Sequence, residues 1–283
     1  MQYRELYQLG VDRLLKSEIE EAKLDARLLL EYVCHTDRNA LLVHGDREVS
    51  EERVETYVNL VMDREKHVPL QHLTGTQEFM GLTFQVNEHV LIPRQDTEIL
   101  VEAAMKELHD GMAILDMCTG SGCILLSLLH YSNDCRGIGV DISADALTVA
   151  RANAEQLLKE AKLKPEFLQS DLFTELEQGQ KFDMLVSNPP YIRSDVIPTL
   201  MEEVKSYEPI GALDGMEDGL YFYREISHSA KPYLYRGATL FFEIGYDQAE
   251  AVSRILEKDG YKEIEIIKDF AGLDRVVKCI FQE

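Results

Sequence analysis

The tightest constraint on the fold of this chain lies in its last two extended segments. Residues 264–267 and 275–281 read as strands, and only the stretch 268–274 separates them. A parallel pair needs a crossover of about a dozen residues or more, so these two strands must pair antiparallel, as a hairpin. Upstream, strand-like runs at 112–116, 136–140, 166–170, 182–187 and 238–244 alternate with helical spacing, beginning with a helix opened by Asp96-Thr97-Glu98 and running to 108. Alternation of this kind builds an α/β, doubly wound sheet. Seven strands ending in a hairpin predict such a sheet with an antiparallel C-terminal edge.

The first part of the chain follows another period. Leu6, Leu9, Leu14 and Leu15 mark one helix, Ala22, Leu24, Ala26, Leu28, Leu29 and Val33 a second, and Leu41 and Leu42 a short third. Ser50 is placed to cap a fourth, carrying Val54, Val58, Leu60 and Val61 and closed by Pro69. From Thr76 the period falls to two, with Thr76-Gln77-Glu78-Phe79 and Leu82-Thr83-Phe84-Gln85-Val86 flanking a turn at Met80-Gly81, which reads as a β-hairpin. The expected organisation is therefore a helical bundle domain over 1–74, a hairpin linker over 75–92 and the sheet domain over 93–283. A four-helix module this small has a marginal core and is expected to dock on a second body.

Charge narrows the partners. The 283 residues carry a net charge of -22, with ten basic and fifteen acidic residues in 1–75 and nineteen and thirty-six beyond. Non-specific nucleic-acid binding rests on Lys and Arg displacing counterions, so stable nucleic-acid binding is not expected. The cysteines at 34, 118, 123, 135 and 279 form neither a disulfide framework nor a paired metal pattern, and the eight histidines show no ligand spacing. No metal is expected. The N-terminus lacks a basic-then-apolar leader and no apolar run is long enough to span a bilayer, so a cytoplasmic protein with no membrane partner is expected.

The chemistry-bearing residues sit where strands give way to loops. The run Asp116-Met117-Cys118-Thr119-Gly120-Ser121-Gly122 joins the first sheet strand to a helix, and its glycines let backbone approach a ligand over the carboxyl end of the sheet. A dinucleotide fingerprint would need glycine at 125, where Leu125 stands. Asp141, ending the next strand 25 residues after Asp116, reads either as a carboxylate for ribose hydroxyls or as a cap for the helix beyond Ser143. Asp171, with Leu172 or Phe173 as an apolar face, lies where an adenine would rest. Most informative is Asn188-Pro189-Pro190-Tyr191. Two prolines remove two backbone donors, leaving carbonyl oxygens and the Asn188 amide oxygen as acceptors. That loop suits a planar nitrogen bearing two N–H groups, with Tyr191 free to stack on it, and the electrophile suited to the neighbouring site is the methyl of S-adenosylmethionine. Positioning then supplies most of the rate. Arg94 is read either as ordering the active-site loop or as bridging Glu98 one helical turn on, with the structural role favoured.

These segments resemble the amino-methyltransferases with an Asn-Pro-Pro-Tyr signature. Within them, Gly75-Thr76-Gln77-Glu78-Phe79, the run Leu91-Ile92-Pro93-Arg94-Gln95-Asp96-Thr97-Glu98, Glu208-Pro209 and Glu243-Ile244-Gly245 resemble the HemK/PrmC family over nearly the whole chain. The resemblance implies a seven-stranded Rossmann-like methyltransferase sheet and an enzyme that methylates the glutamine of the Gly-Gly-Gln motif in class I peptide chain release factors, modulating translation termination. It implies S-adenosylmethionine held by Cys118, Thr119, Gly120, Ser121, Gly122, Asp141, Asp171, Leu172 and Asn188, and a glutamine amide held by Asn188 and the Pro189 carbonyl, with Pro190 and Tyr191 completing the catalytic loop. Two positions depart from the family pattern: Gln95 stands where proline is usual, and Met216 where glycine is common.

The rival readings are a nucleic-acid adenine methyltransferase, since adenine also offers a planar amine, and a non-catalytic ligand-binding module. An enzyme that pulls a base from duplex DNA usually carries a basic channel, which the acidic balance disfavours. A small acceptor loop cannot select one glutamine among the many in a cell, so the helical domain is the expected docking surface for the protein substrate.

Overall fold

The computed structural model describes residues 1–160 and 163–282. In chain order among these residues come helices α1 (Tyr3–Lys16), α2 (Ala22–Cys34), α3 (Arg38–Val43), α4 (Glu51–Arg64) and α5 (Leu70–Thr74), then the hairpin strands β1 (Thr76–Phe79) and β2 (Leu82–Gln85). There follow α6 (Gln95–Glu107), β3 (Ala113–Met117), α7 (Cys123–His130), β4 (Arg136–Asp141), α8 (Ala144–Leu157), β5 (Glu166–Gln169) and β6 (Phe182–Ser187). The chain ends with α9 (Glu202–Tyr207), α10 (Tyr221–Ala230), β7 (Leu234–Glu243), α11 (Ala249–Lys258), β8 (Lys262–Lys268) and β9 (Asp274–Ile280). No helix among the described residues is long and apolar enough to cross a membrane.

The chain divides into two units. The first comprises Met1–Thr76 together with Met201–Tyr207, the second Gln77–Leu200 with Glu208–Glu283. In the first, α1 and α2 bury Leu6, Val11, Leu14, Ala26, Leu29 and Leu30. Helix α4 buries Tyr57, Val61 and Arg64, whereas the aliphatic Val54, Val58 and Leu60 are only half-buried. Polar chemistry explains the swap. The Tyr57 hydroxyl donates to the Ala26 carbonyl at 3.0 Å, and the Arg64 guanidinium pairs with Asp25 at 2.7 Å and with Glu203 of α9 at 2.5 Å. Burial pushes the Asp25 carboxyl upward, and the Arg64 hydrogen bond opposes that shift. A charge left alone here would be costly, so the pair fixes α9 to α4. The Tyr207 hydroxyl adds a bond to the Lys66 carbonyl at 2.7 Å.

The second unit is the doubly wound sheet, in strand order β5-β4-β3-β6-β7-β9-β8, with β3 to β7 parallel and β9 antiparallel to both β7 and β8. Each predicted strand is present. β7 starts earlier than its apolar run, because Phe182 faces Leu234 while Met184 faces Thr239, and the excess on β7 is absorbed beside Gly237 at φ +89°. The β1–β2 hairpin buries Phe79 and Phe84 in this unit's core, and Asn153 of α8 bonds the Gln85 backbone from both sides. Register decides where a ligand can sit. Met117 lies opposite Val140 on one side and Ser187 on the other, so the carboxyl ends of β4, β3 and β6 stand abreast. The chain leaves β3 toward β4 and returns to its other side with β6, and such a switch point is where open α/β sheets bind ligands.

Candidate active site

A cavity of about 490 Å³ opens over those strand ends, entirely within the second unit. Its size falls in the range of small-molecule sites, ~300–1,000 Å³. One wall is the turn after β3. The backbone enters the left-handed region at Cys118 (φ +62°), Gly120 (φ +54°) and Gly122 (φ +80°), and Gly122 caps α7. Two glycines make that path cheap; Cys118 carries a strain of the sort concentrated at ligand clamps. Thr119 donates its N–H to the Val140 carbonyl at 2.9 Å and its hydroxyl to the fully buried Asp116 at 2.6 Å. Burial pushes the Asp116 carboxyl up to about 7 and holds the Cys118 thiol far above its ordinary value, so Cys118 is no thiolate nucleophile.

Asp141 ties this wall together. Its Oδ2 accepts from the Gly120 N–H and its Oδ1 from the Ser143 N–H, both at 2.9 Å, while Ser143 caps α8 through its own hydroxyl. Burial raises the Asp141 carboxyl, and those backbone bonds pull it back down. The carboxylate that the sequence marks for a ligand is thus also a loop brace. Each of its oxygens keeps a lone pair for a further donor. Past β5, the exposed Asp171 and Leu172, at φ +50°, both line the cavity, whereas Phe173 turns into the core and stacks on Tyr233 with ring centroids 5.3 Å apart. Of the two apolar candidates, Leu172 faces the cavity and Phe173 does not.

The opposite wall is the loop after β6. The Ser187 hydroxyl donates to the Met117 carbonyl at 2.5 Å, joining this loop to the first wall. Asn188 turns its amide nitrogen to the Thr97 hydroxyl at 3.4 Å. Among the described residues no donor reaches Asn188 Oδ1 or the Pro189 carbonyl. Asn188 and Pro190 line the cavity; Pro189, Tyr191 and Gly122 back it without lining it. Tyr191 sends its hydroxyl to Glu243 Oε1 at 3.4 Å, and burial pushes both the phenol and the Glu243 carboxyl upward, the latter to about 7.

Support for this loop comes from far along the chain. A Cβ at Gly215 would lie 2.7 Å from the Tyr191 Cα, and the Gly215 N–H donates to the Ile192 carbonyl at 2.7 Å. Gln248 donates to the carbonyls of Tyr191 and Gly219 at 3.0 and 3.2 Å. Arg94 pairs not with Glu98 but with the buried Glu208, 2.6 Å away, while Glu98 accepts from the Met80 N–H. Pro209, named in the sequence with Glu208, lines the cavity together with Ile210, Gly211 and Ala212, which sequence reading did not single out. Nor did it place Thr97 or Tyr221 there. No three His, Cys, Asp or Glu side chains among the described residues converge to hold a metal ion.

Gln95 and Met216 have local explanations. Gln95 is the first residue of α6, a position whose N–H has no helical partner, so proline and glutamine both fit. Met216 sits at φ +70°, where a side chain is strained and glycine is not.

A parallel sheet closed by an antiparallel hairpin, with a glycine turn, a strand-end carboxylate and an acceptor loop around one cavity, defines a Rossmann-like methyltransferase. Residues 5–75 match the PrmC N-terminal domain and residues 94–204 the methyltransferase small domain. The chain is 46% identical over 259 residues to the release factor glutamine methyltransferase of Clostridium acetobutylicum, covering 90% of each protein. It is 42% identical to that of Clostridium botulinum, covering 95% of this chain and 96% of the other. The chain belongs to the release factor glutamine methyltransferase family. Among solved structures, a methyltransferase from Pyrococcus furiosus shares the fold at 15% identity and a TM-score of 0.52, covering 72% of this chain and 91% of that one.

Proposed function

We propose that the protein transfers a methyl group from S-adenosylmethionine to the side-chain amide nitrogen of the Gly-Gly-Gln glutamine of class I release factors. The observation that carries this reading is the Asn188 Oδ1 acceptor, unengaged among the described residues, on the cavity that Asp141 also lines, with the Pro189 carbonyl, likewise unengaged, on the next residue of the loop. A carboxamide nitrogen is a poor nucleophile because its lone pair is delocalised. Two acceptors that bind both of its hydrogens fix the amide plane and aim the nitrogen, and orientation of this kind supplies much of the rate. Asp141 would accept the ribose hydroxyls on the lone pairs left by Gly120 and Ser143, Asp171 and Leu172 would border the adenine, and Cys118, Thr119, Gly120 and Ser121 would line the remainder. When bound, S-adenosylmethionine supplies a methyl on a positively charged sulfur, an electrophile that needs neither metal nor covalent enzyme intermediate.

Substrate choice falls to the helical residues 1–74, because a single glutamine loop offers far less than the ~1,200–2,000 Å² that specific protein interfaces bury. Incubation with labelled S-adenosylmethionine and, separately, a release factor and duplex DNA tests the reaction: label is expected on the Gly-Gly-Gln glutamine, and label on adenine instead would transfer the acceptor loop to a base. Hydrogen exchange of the full protein with and without release factor tests the docking role. Protection is expected in the N-terminal helices; protection restricted to the cavity rim would reduce them to an appendage.

A further inference from the structure

The acceptor loop accounts for one glutamine amide but not for the chain that carries it. Downstream of that loop, the run Leu213-Asp214-Gly215-Met216 holds a group with no part yet in the reaction. Asp214 is half-buried and lines the cavity with Asn188 and Pro190. Its Oδ1 accepts the Ser194 hydroxyl at 2.7 Å and the Met216 N–H at 2.9 Å, an Asx turn that fixes the carboxylate. Its Oδ2 has no hydrogen-bond or ion-pair partner among the described residues. A carboxylate tied by one oxygen presents the other as an acceptor at a set place. Two features put that oxygen on the substrate's side. Residues 192–194 and 213–216 form a short parallel ladder, in which the Ile192 N–H donates to the Leu213 carbonyl at 3.0 Å, the Gly215 N–H to the Ile192 carbonyl at 2.7 Å and the Ser194 N–H to the Met216 carbonyl at 3.1 Å. Asn188 and Asp214 thus belong to one braced wall, and a substrate gripped at both is held in register. In addition, Met216 and Tyr221 line both the cavity and a neighbouring recess formed with Arg193, Glu217, Asp218 and Arg224. Asp214, bonded to the Met216 N–H, stands beside the place where the two hollows adjoin.

We infer that Asp214 Oδ2 is a recognition acceptor for the protein substrate, taking a main-chain N–H of the Gly-Gly-Gln segment while Asn188 takes the side-chain amide. The inference rests on the methyltransferase reading and names what that site recognises besides the glutamine. The substrate's own chemistry dictates the partner. The residues ahead of the reacting glutamine are glycines, so beside it the peptide offers only main chain, and no Cβ holds its N–H groups away from a carboxylate. A nucleic acid would bring phosphates to the same wall, and a fixed carboxylate repels them. An acceptor that meets the main chain, remote from the reacting nitrogen, acts on ground state and transition state alike, so its loss is expected in KM more than in kcat.

Asp214→Asn tests this with little change of shape. Its amide oxygen still serves Ser194 and Met216, so an NH2 donor replaces Oδ2. With the full-length protein and a short Gly-Gly-Gln peptide, kcat/KM is expected to fall about tenfold or more, the scale of a lost hydrogen bond to a charged group, chiefly through KM. S-adenosylmethionine affinity by calorimetry and the thermal midpoint should stay near those of the parent. The partner is then identified with peptides in which each main-chain amide of the Gly-Gly-Gln segment is replaced in turn by an ester, which has no N–H. One ester is expected to cost the parent about tenfold and Asp214→Asn almost nothing further, the signature of two groups that touch. A parent-like kcat/KM in Asp214→Asn overturns the inference. So do ester losses equal in both proteins, and so does a weakened S-adenosylmethionine affinity, which would give Oδ2 to the cofactor's ammonium. If the parent methylates neither peptide nor release factor, the methyltransferase reading fails. Titration of the amide and ester peptides into both proteins then decides Asp214 by the same comparison: an ester loss confined to the parent supports the contact, and equal affinities or no binding overturn it.

Discussion

The two walls of the cavity are built on opposite plans. The wall after β3 and β4 is local: Asp116, Cys118 to Gly122 and Asp141 lie within 26 residues of one another, tied by the Thr119 hydroxyl on Asp116 and by the Gly120 and Ser143 N–H groups on Asp141. The wall after β6 is an outpost. Its Asn-Pro-Pro-Tyr loop cannot brace itself, because its prolines have no N–H to donate, and it borrows support from Thr97, Gly215 and Gln248. The lesson is that stripping donors from a loop, which leaves its acceptors free, obliges the rest of the fold to hold it.

Substitutions on the two walls should therefore fail differently. The largest effect is expected at Asn188→Ala, which removes an acceptor from the loop. Turnover should fall about 10²-fold or more, with S-adenosylmethionine affinity and thermal midpoint nearly those of the parent. Steady-state kinetics beside calorimetry reads both, and near-parental turnover would remove Asn188 from the chemistry. Next comes Asp141→Ala on the first wall. Because this carboxylate both faces the cavity and accepts from Gly120 and Ser143, affinity for S-adenosylmethionine should weaken by about 1.5–3 kcal/mol and thermal stability should fall with it. Calorimetry showing intact affinity with lowered stability would leave Asp141 a loop brace alone.

Gly215→Ala probes the borrowed support. The added Cβ would meet the Tyr191 Cα at 2.7 Å, backbone that cannot swing away, so a stability loss of about 1–3 kcal/mol is expected in denaturant titration. Turnover should fall further than stability alone accounts for, since Tyr191 adjoins the acceptor loop; an unaffected kcat would show that the loop holds itself. The smallest effect has the opposite sign. Met216→Gly relieves a left-handed side chain costing ~1–2 kcal/mol, while glycine adds unfolded-state freedom of ~0.4–1 kcal/mol. A net gain of up to about 1 kcal/mol should appear as a raised thermal midpoint, and a lowered one would mean that the Met216 side chain contributes packing at the cavity rim.

The sequence by itself determined the sheet and most of the loops that meet around the cavity. Strand positions follow from apolar runs, the antiparallel edge from a connection too short for a crossover, and the glycine turn, Asp141 and the Asn188 loop from side-chain chemistry that acts within a few residues of itself. Burial was less legible where polar groups took apolar places. In α4 the core takes Tyr57 and Arg64 ahead of Val54 and Val58, because each polar tip finds a partner across the bundle, and periodicity weighs hydrophobicity without seeing partners. Only the tertiary structure decided the pairings that span the chain. Arg94 reaches Glu208, 114 residues away, rather than Glu98 on its own helix. Residues Met201–Tyr207 fall with the N-terminal unit, where Glu203 pairs with Arg64, and the Tyr191 hydroxyl meets the buried Glu243 carboxyl 52 residues further on. The physical reason is common to all three. A local pattern fixes which face of an element is apolar, but a buried charge or hydroxyl is stable only beside its particular partner, and that partner is chosen by the folded chain.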